Sequence, residues 1–256
     1  MTGRPTGPAD RAPSLAAGYL AALPLFLAYE IGLLALGNAS ARASAERLVA
    51  RGLALLDQPL QGVRVLLLSG LAALAYLSVR RSGAVGESGL GRTLGRQAAE
   101  GVLAGMLLGP ILTGLQAWFG AEVLTIGDEP ARSLAASLCL LGAAPWEELL
   151  FRVGLYGGLF WCVRRALDFL GLYARAALFT AELLALLGSA LFFAWFHLES
   201  AQRLLGARGE AFHGGLFLWR LSAGILLGGL FRWRGFGVAA WAHALFNLGL
   251  ALGIRP

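Results

Sequence analysis

The chain alternates between long apolar runs and short stretches that carry most of its arginines. Seven runs are long enough to be helices that cross a bilayer, which takes roughly 20 mostly apolar residues each. The runs cover about 15–37, 63–80, 98–119, 133–162, 176–198, 213–231 and 236–254. Glycines four residues apart, such as Gly101 and Gly105, indicate close helix packing. The pattern therefore predicts an all-α fold, a polytopic transmembrane helix bundle of about seven helices.

An eighth element is possible between residues 39 and 62. Charged residues alternate there with Leu and Ala, which is typical of an amphipathic helix at the membrane surface. Residues 1–13 are a polar tail rich in Pro and Gly, and the apolar run that follows lacks a small-residue cleavage site, so we expect a retained first helix. No repeat or linker divides residues 14–256, and we expect a single transmembrane domain there.

Composition agrees with a membrane protein. Of the 256 residues, 57% are hydrophobic and 14% charged, whereas about a quarter of the residues in a soluble domain are charged. The net charge is +6, but the arginines lie in short loops between apolar runs, which favours membrane orientation over nucleic-acid binding. The two cysteines, Cys139 and Cys162, lack the spacing of paired ligands, which argues against a disulfide framework or a thiolate zinc site.

The placement of arginines predicts an orientation. Loops 80–96, 163–175 and 232–234 have the same parity and carry most of the loop arginines, whereas loops 120–132 and 199–212 are acidic or balanced. The positive-inside rule then places the arginine-rich loops and the N-terminus in the cytoplasm, and the C-terminus outside. We expect an integral protein of the bacterial inner (cytoplasmic) membrane.

Three short motifs bring polar side chains into apolar runs. They are Glu147-Glu148-x-x-x-Arg152, Phe193-x-x-x-His197 and His243-x-x-x-Asn247. Because ionisable groups are costly in hydrocarbon, their presence there usually marks function. A carboxylate beside imidazoles can also activate water. The motifs therefore predict a catalytic core at about 133–254.

Helical spacing indicates how these residues are arranged. Glu148 and Arg152 share a helix face and can form an ion pair, while Glu147 lies about 100° around the helix and is free to face another group. His243 and Asn247 also share a face, from which they could hold a water, bind a metal or donate to an oxyanion. Each motif also has a structural alternative: a charge cluster at a kinked helix end, an interfacial histidine, or an interhelical polar contact.

Together and in this order, the motifs resemble the CAAX-protease and bacteriocin-processing (CPBP) family of intramembrane endopeptidases. The similarity covers about residues 140–250. It implies that Glu147 acts as general base on the hydrolytic water and that His197 helps to hold that water. It also implies that His243 and Asn247 stabilise the tetrahedral oxyanion.

The resemblance further implies a set of supporting residues. Glu148 and Arg152 correspond to a supporting ion pair, and Phe193 precedes the first histidine by one helical turn. Val153 departs from the family pattern, since many members have Gly after the arginine. The departure concerns local packing, not the catalytic groups.

A metal is an open possibility. His197, His243 and Glu147 could supply the three protein ligands of an open catalytic zinc site. No histidine pair, however, lies on one helix at the spacing of a zinc protease. Members of the family are often described as metalloproteases, although the resemblance implies a glutamate-driven reaction. We therefore expect no firm cofactor, with zinc as the candidate.

The leading hypothesis is an intramembrane endopeptidase that cleaves a membrane-associated or exported substrate. Its partners would be a peptide or protein substrate and the lipid bilayer, and not nucleic acid. Two other hypotheses remain: a transporter or proton-relay protein, which would more naturally show inverted repeats, and a non-proteolytic peptide-binding or immunity protein. Glu30 and Arg220, two further charges in apolar runs, could line a substrate path or form structural pairs.

Overall fold

The computed structural model describes residues 14–36, 45–48, 51, 60–82, 87–118, 133–206 and 209–252. Within these ranges the chain is helical, apart from turns, short extended stretches and one isolated parallel bridge between Leu198 and Glu210. The predicted all-α helix bundle is confirmed. The polar tail 1–13 and most of the possible amphipathic element at 39–62 lie outside the described residues.

The described helices follow one another with short connections. They are α1 (Leu15–Leu36), α2 (Leu60–Arg81), α3 (Glu87–Trp118), α4 (Leu134–Glu148), α5 (Gly157–Phe169), α6 (Ala174–Phe196), α7 (Glu199–Leu204), α8 (Gly214–Arg234) and α9 (Phe236–Ala251). A π-helical segment, Leu149–Tyr156, joins α4 to α5, so that Leu134–Phe169 is one continuous span of 36 residues. Six of the described spans are long and apolar enough to cross a membrane.

The predicted seventh span is shorter than expected. Helix α9 has 16 residues and is about 24 Å long, less than the roughly 30 Å hydrocarbon core of a bilayer. It packs against α1, α3, α4 and α8. Because neighbouring helices surround it, α9 does not have to match the thickness of the lipid. The described part of the chain thus has six long apolar spans and the shorter α9.

Two helices extend further than hydropathy predicts. Helix α3 begins at Glu87 rather than near residue 98, and α5 continues to Phe169 rather than ending near residue 162. Both extensions contain arginines, among them Arg92 and Arg164. A hydropathy pattern detects only the part of a helix that suits hydrocarbon, whereas backbone hydrogen bonds continue the helix beyond it.

Small residues allow α9 and α1 to approach their neighbours closely. A Cβ atom added at Gly105 of α3 would lie 2.6 Å from the carbonyl oxygen of Ala242 on α9. One added at Gly142 of α4 would lie 2.3 Å from the Cβ of Tyr29 on α1. Side chains at these positions would force the helices apart, which agrees with the role of small residues in membrane bundles.

The arginine-bearing end of α8 contacts glutamates of α3 and α6. Arg234 of α8 contacts Glu100 of α3 at 2.5 Å, and Arg232 of α8 contacts Glu182 of α6 at 2.7 Å. These residues define the arginine end of the bundle. His197 follows the last residue of α6 and lies at the opposite end of that helix. The arginines of α8 thus lie at the end of α6 distant from His197.

Glu30 belongs to a separate ion-pair cluster. Arg64 of α2 contacts Glu30 of α1 at 2.5 Å and Glu46 at 2.6 Å. Glu46 also accepts a 3.0 Å hydrogen bond from the hydroxyl of Tyr29. Of the two roles considered for Glu30, the structure favours a structural pair, which joins α1, α2 and residues 45–48.

Candidate active site

The first and third motifs meet at His243, in the middle of α9. Its Nδ1 atom lies 2.9 Å from Oε1 of Glu148, and its Nε2 atom lies 3.6 Å from Oε2 of Glu147. The His243 side chain is 5% exposed, and that of Glu147 is 13% exposed. One imidazole therefore lies between two neighbouring glutamates that come from the end of α4.

Glu148 connects His243 to Arg152. The Nε atom of Arg152 lies 3.1 Å from Oε2 of Glu148, and both side chains are fully buried. The ion pair predicted from their spacing is present. Since an ionised carboxylate can only accept hydrogen bonds, Nδ1 of His243 carries the hydrogen of its bond to Glu148. Glu148 thereby orients the imidazole so that Nε2 faces Glu147.

Phe193 packs against residues of all three motifs. The Cζ atom of Arg152 lies 5.2 Å from the centre of the Phe193 ring, in a cation–π arrangement. The same ring lies 4.9 Å from the His197 ring and 5.8 Å from the His243 ring. The two terminal nitrogens of Arg152 are buried and have no hydrogen-bond acceptor among the described residues. Phe193 thus provides the contact between the second motif and the other two.

His197 caps the C-terminal end of α6. Its Nδ1 atom lies 2.8 Å from the carbonyl oxygen of Phe193, and because a carbonyl only accepts, Nδ1 carries the hydrogen. Burial, with a further contribution from the positive charge of Arg220, lowers the pKa of His197 to about 3. The imidazole is therefore neutral near pH 7, and the lone pair of Nε2 is available to accept a hydrogen bond.

Glu210 and Arg220 form an ion pair beside His197. The Nε atom of Arg220 donates to Oε2 of Glu210 at 2.9 Å, and Nη2 of Arg220 contacts Oε1. The charge of Arg220 acts on both Glu147 and His197. Of the roles considered for Arg220, the pair with Glu210 is observed. Sequence reasoning missed Glu210, because it precedes α8 and no helical spacing connects it to Arg220.

Asn247 follows His243 by one turn of α9 and is half-buried. Residues four apart on a helix lie on one face, so its amide is on the His243 side of α9. Within the described part of the chain, no hydrogen bond joins Asn247 to the other candidate residues. The structure thus brings the other motif residues into contact, but it places Asn247 near them only through the helix.

The described residues do not form a recognisable metal centre. No group of three or more His, Cys, Asp and Glu side chains in these ranges is arranged to hold a metal ion. The hydrogen bonds from Nδ1 of His243 to Glu148 and from Nδ1 of His197 to the Phe193 carbonyl leave Nε2 of each imidazole available, as is also usual in metal-bound histidines. The zinc site considered for Glu147, His197 and His243 therefore stays a prediction.

Comparison with known proteins identifies the part of the chain that contains these motifs. Residues 130–249 match the model of the Rce1-like family, type II CAAX prenyl endopeptidases. No curated protein and no solved structure matches the chain. The match agrees with the CPBP resemblance of the motifs and includes α4 to α8 and most of α9. Residues 130–249 are thus similar to the Rce1-like family of CAAX prenyl endopeptidases.

Proposed function

We propose that this protein hydrolyses a peptide bond with a water activated by Glu147, at a centre formed by Glu147, His197, His243 and Asn247. The observation that carries the proposal is the position of His243 between Glu147 and Glu148, at 3.6 Å and 2.9 Å. A carboxylate beside an oriented imidazole in a buried site is suited to general base catalysis.

Glu147 is the base in this proposal. Its Oε2 atom and Nε2 of His243 are too far apart for a direct hydrogen bond at 3.6 Å. Both can nevertheless reach one water oxygen between them. Glu147 takes a proton from that water, and the hydroxide adds to the carbonyl carbon of the substrate. The proton then passes from Glu147 to the leaving amide nitrogen as the carbon–nitrogen bond breaks.

His243 and Asn247 stabilise the oxyanion. A protonated His243 can donate from Nε2 while Nδ1 donates to Glu148, and the Asn247 amide supplies a second donor. With this imidazolium, Glu147, Glu148, Arg152 and His243 carry two negative and two positive charges. A balanced set is easier to bury than a set with net charge.

His197 helps to hold the water. Its Nε2 atom is the hydrogen-bond acceptor that remains once Nδ1 binds the Phe193 carbonyl. In this proposal Nε2 of His197 and the Glu147 carboxylate bind the same water, so that a lone pair of its oxygen faces the substrate carbonyl. This role requires a neutral imidazole, as the lowered pKa of about 3 provides.

We propose a membrane-associated or exported peptide as the substrate. The six long apolar spans and the membrane-protease family both support a substrate within or beside the bilayer. The test compares peptide termini in membranes from strains with the wild-type protein and with Glu147→Ala. Termini that disappear with Glu147→Ala, and not with the control Glu100→Gln at the arginine end, identify cleavage sites.

The same termini provide a direct assay. Internally quenched peptides that span them should be cleaved by the purified protein, and Glu147→Ala, His197→Ala and His243→Ala should each abolish cleavage. All three variants must remain monodisperse in detergent, which shows that they fold. Full cleavage by monodisperse Glu147→Ala would exclude the proposed base.

We also propose that the arginine end faces the cytoplasm of a bacterial inner membrane. Arg80 and Arg81 end α2, and Arg232 and Arg234 end α8, in agreement with the positive-inside rule. In a variant without Cys139 and Cys162, Phe212→Cys should react with an impermeant maleimide in intact spheroplasts. Ser82→Cys should react only after lysis, and the reverse result would invert the orientation.

A further inference from the structure

An ion pair joins α8 to the residue that is hydrogen-bonded to the backbone of His197. Arg220 of α8 contacts both carboxylate oxygens of Glu210, through Nε at 2.9 Å and through Nη2. Its side chain is 14% exposed, and that of Glu210 is 36% exposed. Two parallel donors of a planar guanidinium fix a carboxylate more rigidly than one point charge does.

The backbone of Glu210 is hydrogen-bonded on both sides of Leu198. The Glu210 N–H donates to the carbonyl oxygen of His197 at 2.9 Å, and the Glu199 N–H donates to the carbonyl oxygen of Glu210 at 2.8 Å. These bonds form the parallel bridge between Leu198 and Glu210. The position of Glu210 therefore determines where the chain can run as it leaves α6 at His197.

We propose that Arg220 is a positioning residue, which holds His197 at the active site by clamping Glu210. The inference rests on the proposed function, because His197 is assigned a catalytic role only there. The Arg220 guanidinium binds the Glu210 carboxylate. The backbone N–H of Glu210 in turn donates to the His197 carbonyl oxygen. The opposite side of His197 is held by the Nδ1 bond to Phe193. Both contacts are needed to fix the imidazole, because a C-terminal helix cap is otherwise free to fray.

A nearby ion pair provides a matched control. Arg203 contacts Glu199 at 2.7 Å on α7, and their side chains are 72% and 51% exposed. Such an exposed pair contributes little to stability. Arg203→Gln therefore removes an arginine of the same connecting region without loosening His197. Any effect found with Arg220→Gln and not with Arg203→Gln belongs to the Glu210 clamp.

The first experiment needs no turnover. The full-length protein is treated in detergent with diethyl pyrocarbonate, and modification of His197 and His243 is followed by mass spectrometry. With Arg220→Gln we expect His197 to react about tenfold faster. Loss of the contact with Glu210 lowers the free energy needed to open the segment around His197, so the reactive open state is populated more. His243 should keep its rate, since Glu148 holds it independently. Arg220→Lys, which keeps the charge but not the paired contact, should give an intermediate rate.

The second experiment measures kinetics with an internally quenched peptide that the wild-type protein cleaves. Arg220→Gln should lower kcat about tenfold and change KM less than about twofold, because a misplaced catalytic group slows the chemical step. Arg220→Lys should recover part of the loss. The double variant Arg220→Gln/Glu210→Gln should be no worse than Arg220→Gln alone, because both substitutions break one contact.

Two results would overturn the inference. One is an unchanged His197 modification rate in a monodisperse Arg220→Gln protein. The other is a loss of kcat in Arg220→Gln that Arg203→Gln reproduces. A wild-type protein that cleaves no peptide would instead contradict the proposed function, and the modification experiment would still decide whether Arg220 holds His197.

Discussion

The Nδ1 atom of His243 lies 2.9 Å from Oε1 of Glu148, although 95 residues separate the two in the chain. This contact gives the two neighbouring glutamates different environments. Glu148 is fully buried and uses both oxygens, one for His243 and one for Arg152. Glu147 faces the other nitrogen of the same imidazole. The two acids should therefore respond differently to the same substitution.

Glu147→Gln should abolish peptide cleavage and leave stability nearly unchanged. The amide keeps the shape of the side chain but cannot accept a proton from water. Turnover of a quenched peptide and thermal unfolding, followed as loss of monodisperse protein, measure the two effects. Residual turnover near the wild-type rate would contradict the assignment of Glu147 as base.

Glu148→Gln should instead lower the free energy of unfolding by about 3 kcal/mol, because it leaves a buried arginine without its counter-charge. Its thermal midpoint should fall well below that of Glu100→Gln, which breaks only the half-exposed contacts with Arg234 and Arg96. If Glu148→Gln unfolds at the wild-type temperature, the buried pair does not stabilise the bundle.

Asn247→Ala should lower kcat by a factor of about 10² to 10³ with little change in KM, as expected when one oxyanion donor is removed. Asn247→Asp should be at least as slow, since it replaces a donor with an acceptor at similar size. Both variants should unfold near the wild-type temperature, because no hydrogen bond of Asn247 to the other site residues is found in the described ranges. A proportional rise in KM with unchanged kcat would indicate a substrate-binding role instead.

Gly105→Ala should destabilise the protein by about 1–3 kcal/mol, the usual cost of overpacking. The added Cβ would lie 2.6 Å from the Ala242 carbonyl and 2.9 Å from the Leu245 Cβ, so that α9 must shift. Because His243 follows Ala242, turnover should fall as well.

Gly114→Ala is the control on the same helix. A Cβ added at Gly114 would meet nothing within 4 Å in the described residues, and Ala favours helix over Gly by about 1 kcal/mol. This variant should be as stable as the wild type or more stable. Equal destabilisation by both substitutions would show that the α3–α9 contact is not the cause.

Removal of divalent metals should leave peptide cleavage unchanged. The protein is dialysed against EDTA, then assayed with and without added zinc. This expectation follows from the proposed role of Glu147 as the base that activates the water without a metal. Loss of turnover on dialysis, with recovery on addition of zinc alone, would require a metal in the mechanism.

The sequence by itself determined the fold class and the chemical groups. Long apolar runs need helices in a bilayer, because every backbone polar group must be paired within the segment. The spacing of Glu148 and Arg152 was enough to predict their ion pair, since it depends only on the geometry of one helix. The ordered motifs were likewise enough to indicate the family whose model matches residues 130–249.

Only the tertiary structure decided how the motifs meet. Hydropathy could not show that α9 is a short central helix. It packs against neighbouring helices, so its length does not have to match the thickness of the lipid. Nor could hydropathy place His243 between two glutamates, or join Arg220 to Glu210. These contacts depend on where helices cross and on how the chain turns between α6 and α8. Such distances are set by packing between distant segments, for which local periodicity contains no information.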